Sequence, residues 1–273
     1  MQKSFVLKFV PVLALASVLS FTQTGVAQFA SSVTSYNAGA GTTASYQDPT
    51  RSLGAPTTFI GYQNADPFNA PYQAAHLVSV GAGGWLTVAF SQPILNTGHA
   101  FGLDFSIFGN SGFVITNGTD ENWNYIGAPA TDGSLYGNNF GVTRVLVSAD
   151  NVNYFTLNPL FAQTVDSYFP TDAAGDFRLP MNPALTGSSF AGLDLAGISA
   201  LYAGSGGGMG YDISWAQDGL GNSVALGSIS YVRIEVLSGK SEIDALVAVP
   251  EPTTLSLALL GMGALLVTRR QRA

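Results

Sequence analysis

The last stretch of the chain, Val249 to Ala273, sets where any fold must stop. Pro250 and Pro252 fix their own φ, lack a donor N–H and push the preceding residues away from α. An uncharged run rich in Leu, Ala and Gly follows, from Leu255 to Val267, and it suits hydrocarbon as a helix. Arg269, Arg270 and Arg272 close the chain; they stay with anionic headgroups, so this end faces the cytoplasm. The apolar run is short for a full bilayer at ~1.5 Å per residue, so it must borrow interfacial length or insert only transiently.

The other end carries an address of its own. Lys3 and Lys8 precede a mostly apolar run from Val10 to Phe21, and Gly25-Val26-Ala27 offers small residues for cleavage before Gln28. Residues 1–27 therefore read as a signal peptide, cut by signal peptidase. Both ends agree on topology: the part after residue 27 is exported, and only the final arginines stay inside.

Export changes the charge argument. The formal net charge is −7, but five of the ten basic residues lie in the two targeting segments, which leaves the exported part at about −12. A phosphate-binding surface needs a basic face, so nucleic acid is excluded as a partner. There is no cysteine, which removes disulfides, thiolate catalysis and Cys-type zinc sites. Residues 28–248 are enough for one well-buried core without such staples.

That region reads as all-β. Runs that alternate, or that are β-branched and aromatic, occur at Trp85–Phe90, Leu103–Phe108, Val142–Ser148, Tyr154–Leu157, Tyr211–Trp215, Ile229–Val236 and Ile243–Val247. In the sixth, Val232, Ile234 and Val236 should face a core while Tyr231, Arg233 and Glu235 face solvent. Ala149 to Asn153 should be a tight turn into the next strand. No amphipathic helix of convincing length is evident. Many short strands with polar turns predict a two-sheet β-sandwich of jelly-roll type, preceded by the signal peptide and followed by the C-terminal transmembrane helix. Long polar connections at 112–141 and 161–210 should carry loops, with the glycine run 204–210 as a flexible connection before Tyr211.

Two resemblances bear on these residues. The order Pro250-Glu251-Pro252, apolar run, then Arg269, Arg270 and Arg272 resembles the PEP-CTERM sorting signal of Gram-negative bacteria. That resemblance implies processing by a membrane protease of the exosortase type, and a final place at the cell surface, outer envelope or extracellular matrix. Residues 249–273 would be the sorting signal. Upstream, Tyr36 to Gly41, Val78 to Phe90, Asp104 to Asn110, Val145 to Phe155, Tyr211 to Ala216 and Glu242 to Leu246 resemble a common passenger domain of such proteins, similar to discoidin- or carbohydrate-module-like sandwiches. Gly109 stands where that family often has Glu. PEP-CTERM systems go with exopolysaccharide production, so the resemblance implies a polysaccharide-associated component of a biofilm or envelope. The alternatives are a structural protein making protein contacts or, third, a glycan-active enzyme.

Three groups of residues hold the candidate chemistry. Asp104, Asp212 and Asp244 each sit in a β run among large apolar residues, where a carboxylate must be paired, hydrogen-bonded or bound to metal. A structural calcium ion would suit them; the other reading is capping, or pairing with Arg144 or Arg233. Trp123, Tyr125 and Tyr136 lie in the polar 112–141 loop with Asn122, Asn124, Asn138 and Asn139, and rings with amide neighbours suit sugar recognition. The same rings could instead pin the loop to the fold. His76 and His99 read as ordinary loop histidines, since no Gly-x-Ser-x-Gly elbow accompanies them, and no catalytic set is assigned.

Overall fold

The computed structural model describes residues 28–122, 124–137 and 141–250. The signal peptide, Trp123, Asn138, Asn139, Glu251, Pro252, the apolar run and the terminal arginines lie outside the described residues. Among the described residues, no helix is long and apolar enough to cross a membrane.

The chain is mostly β. Its strands are β1 (Gln28–Asn37), β2 (Val78–Gly81), β3 (Trp85–Leu95), β4 (Phe105–Gly109), β5 (Gly112–Phe113), β6 (Leu135–Tyr136), β7 (Val142–Ser148), β8 (Phe155–Leu157), β9 (Met209–Tyr211), β10 (Ala216–Gln217), β11 (Ser228–Ser238) and β12 (Lys240–Ala248). Among the described residues one short α-helix, α1 (Leu195–Tyr202), joins them. A large sheet curls so that one limb runs β10-β8-β7-β11-β3-β1 and the other contains β12, β4 and β9, with β2 on the edge of β12 that β1 also joins. β1 joins the limbs. Gln28 and Phe29 pair with Ala248 and Val247 of β12, and Ala30 to Asn37 pair with β3. Register shifts after Ala30 and Val33 bend the strand between its two partners.

β11 shows how pattern becomes packing. Val232, Ile234 and Val236 are buried, while Tyr231, Arg233 and Glu235 are half-buried on the outer face. Ile234 lies opposite Leu86 of β3 on one side and Val145 of β7 on the other. These side chains share one core with Val78, Val80, Phe105, Ile107, Ile243 and Leu246 of the other limb. β12 is buried along nearly its whole length. Its second face carries Ala245 and Val247, which pack with Phe108, Phe29 and Phe177. Burial on both faces explains why its end, Ala245 to Ala248, is apolar without alternation.

The β7–β8 turn forms as expected. Asn151 sits at φ 62°, and the Asp150 carboxylate accepts from the N–H groups of Val152 and Asn153. Those bonds hold the Asp150 carboxyl well below the usual range.

Three expectations need correction. Tyr211–Trp215 is not one strand: β9 ends at Tyr211, and a 3-10 turn spans Ile213–Trp215. The cause is Asp212, whose side chain accepts from Ser214 N–H at 2.6 Å and so competes with the sheet ladder. The 161–210 connection is a packed layer rather than a polar loop. Its Phe169, Phe190 and Tyr202 pack edge to face with centroids 5.9–6.3 Å apart, and Val165, Met181 and Ile198 are buried. Nor is the glycine run flexible. A Cβ at Gly206 would strike the Phe177 ring and one at Gly208 the Phe108 ring, so these glycines let backbone lie flat on aromatics.

Candidate functional site

A cleft opens where the 112–137 loop meets the 59–73 segment and the start of α1. Its volume is about 400 Å³, and Tyr125, Asp66, Asn69, Gln63 and Asp194 lie among its lining residues. Phe68, Ile115 and Pro129 form an apolar wall.

Local hydrogen bonding builds the loop that carries Tyr125. Asp120 accepts from the N–H groups of Asn122 and Asn124, which lowers its carboxyl pKa. Asn117 ties the loop base together, donating to the carbonyls of Ile126 and Ala128 and accepting from Ala130 N–H. Tyr125 stands 47 % exposed at the rim. Asp66 is fixed by Phe68 N–H and the Asn69 amide. Asp194 caps α1 by accepting from Gly197 N–H at 2.9 Å.

The two described tyrosines of the sequence reading part company here. The Tyr136 hydroxyl donates to the Phe68 carbonyl at 2.7 Å and accepts from Ala70 N–H at 3.2 Å. Its ring covers Gly112, where a Cβ would collide with it, and burial raises its pKa. Tyr136 is thus a clamp between loop and body, while Tyr125 lines the cleft with a half-exposed ring. The sequence reading passed over the 59–73 segment, whose Phe59, Tyr62 and Tyr72 are all about half exposed or more, at 53 %, 64 % and 49 %. Four aromatics, Phe59, Tyr62, Phe68 and Tyr72, in a stretch with two Asn and two Pro were the available signal.

The three candidate calcium ligands do not gather, and each has protein donors. Asp104 accepts from His99 Nδ1 at 2.8 Å and from Ile213 N–H at 2.7 Å. Asp212 caps its 3-10 turn. Asp244 accepts from the Thr57 N–H at 2.8 Å and its hydroxyl at 2.7 Å, and burial pushes its carboxyl up to about 7. Among the described residues, no three His, Asp or Glu side chains form a set that could hold a metal ion. The capping alternative is what the geometry delivers.

His99 also departs from expectation. It is 6 % exposed, with Nδ1 on Asp104 and Nε2 accepting from Thr97 at 3.1 Å. The three groups lock the bend between β3 and β4, where Phe101 holds φ 58°.

Comparison with known proteins bears on the tail. Residues 248–273 match the PEP-CTERM protein-sorting motif. The chain therefore carries the signal of an exported protein that is anchored at the membrane and processed by an exosortase. No curated protein matches the chain.

Proposed function

We propose that the exported part is a non-catalytic surface or matrix component that contacts extracellular polysaccharide through the cleft at Tyr125. One observation supports this most: an exposed ring, two amide side chains and two carboxylates border the same space. A ring can stack on the apolar C–H face of a sugar while amides and carboxylates bond its hydroxyls. Trp123 belongs to the same loop and enters the proposal as a second ring. Tyr136 leaves it, because its hydroxyl is committed to backbone.

The proposed protein has a two-sheet sandwich of jelly-roll, discoidin-like type, a leader at residues 1–27 removed by signal peptidase, an apolar C-terminal anchor, a Gram-negative host and a biofilm or envelope location. The test is retention of the purified protein on immobilised polysaccharide from the producing cells. Wild type should be retained and Tyr125→Ala largely lost to the flow-through; passage of wild type without delay would refute the proposal. Release of reducing sugar from that polysaccharide would contradict the non-catalytic part.

A second proposal, protein contacts, draws on apolar side chains exposed in turns. Val152, Leu160 and Leu220 are 77 %, 81 % and 88 % exposed. Cross-linking on intact cells that captures protein neighbours, with no glycan retention, would favour it.

A further inference from the structure

Lys240 is the one lysine among the described residues. It opens β12, and its Nζ donates to Oε1 of Glu242 at 3.0 Å. The other oxygen of the same carboxylate, Oε2, accepts from Nδ2 of Asn110. Sheet register produces this meeting. Gly109 pairs with Ile243 in an antiparallel ladder, so one residue on from Gly109 and one back from Ile243, Asn110 comes up against Glu242. Lys240 and Glu242 are two apart on one strand and share a face, and a long side chain at the diagonal position reaches across such a pair.

The environment is dry. Glu242 is 7 % exposed and Asn110 8 %. The Asn110 amide oxygen is buried with no hydrogen-bond partner, a costly state for an unaltered primary amide. Asp166 places a second buried carboxyl close enough to feel the charges of Glu242 and Lys240. An amine, a primary amide and a carboxylate that accepts from the nitrogens of both are the parts of an acyl-transfer site.

We propose that Lys240 and Asn110 become joined by an intramolecular isopeptide bond, with Glu242 carrying the protons. Glu242 takes a proton from the Lys240 ammonium, and the neutral Nζ attacks Cγ of Asn110. The Nζ–Cγ bond forms as the Cγ–Nδ2 bond breaks. Nζ gives up two protons in all, and both pass through Glu242 to Nδ2, which leaves as ammonium. Charge and atoms balance, nothing is oxidised, and Glu242 ends as the carboxylate it began as. The Lys240 side chain is 28 % exposed, which leaves the ammonium a way out to water.

The bond would fasten the segment after β4 to the strand that runs through Val249 and Pro250 into the sorting tail. Any pull on the membrane-attached end enters the fold at β12. A chain without cysteine would gain there the covalent closure that exported domains commonly take from disulfides.

The experiment is peptide mapping by mass spectrometry of the full chain, produced with its leader in an exporting host. The expected result is a branched peptide joining the segments around residues 110 and 240, lighter than the two together by one ammonia. Glu242→Gln keeps the shape and removes the relay, so it should yield the two linear peptides instead. Linear peptides with unmodified Lys240 and Asn110 from the wild type would overturn the proposal. A branched peptide in Glu242→Gln would overturn the role of Glu242.

Discussion

The Asp166 carboxylate fills the notch that Gly109 leaves open on β4: a Cβ at position 109 would collide with its Oδ1. The Glu242 carbonyl borders the same notch, 3.0 Å from where that Cβ would be. Asp166 is 3 % exposed and sits beside the Ser241 hydroxyl and the Glu242 backbone. Burial pushes its carboxyl up to about 8, so near pH 7 it sits as a neutral acid.

Gly109→Ala should therefore destabilise the fold by about 1–3 kcal/mol through overpacking. Urea unfolding measures it. Combining it with Asp166→Ala should give less than the sum of the two single effects, because the second change removes the clash. Strict additivity would contradict the contact.

Stability should fall as pH rises above the ordinary carboxylate range. Asp166 and Asp244 have folded-state pKa values raised by burial to about 8 and about 7. Between the unfolded value and those values, the unfolded chain releases protons that the folded chain keeps, so the slope is negative from about pH 4 to about pH 8. In the other direction, Asp48, Asp120, Asp132, Asp176 and Asp218 are held low by hydrogen bonds. Their contribution disappears as pH drops below the carboxylate range. Urea midpoints across this window should peak at about pH 4–5, and Asp166→Asn should flatten the alkaline fall. A midpoint that climbs toward pH 8 would be the contrary result.

His99→Ala should cost about 3 kcal/mol or more, since it strands the Asp104 carboxylate in the interior. Thr97→Ala should cost about 1 kcal/mol, the worth of one ordinary hydrogen bond. Equal small effects in denaturant unfolding would show that the buried pair is not what holds the bend.

Calcium should leave the melting temperature unchanged relative to EDTA. Asp104, Asp212 and Asp244 already have protein donors and do not converge. A ligand that bound only the folded state would raise apparent stability by mass action, so a calcium-dependent rise would count against this arrangement.

What the sequence disclosed follows from how local the cause is. The β11 alternation and the Asp150–Asn153 turn depend on neighbouring residues, and both were legible. The order of groups in the tail is also local, and it matches a known motif. The break after Tyr211 was missed because Asp212 could serve equally as a strand residue or a cap. Distant partners hid the rest. Nothing near Tyr136 in the chain announces that Phe68 and Ala70 take up its hydroxyl, so it looked like Tyr125. Gly109 looked like a lost carboxylate, and only the fold shows Asp166 placing one there. His99 looked like a loop residue until Asp104 and Thr97 closed around it.

The most direct measurement is affinity electrophoresis through gels with and without the producing cells' polysaccharide, using wild type, Tyr125→Ala and Tyr136→Phe. The cleft proposal expects wild type and Tyr136→Phe to be slowed alike and Tyr125→Ala to run nearly free. Equal slowing of all three, or none of wild type, would contradict a glycan contact at Tyr125.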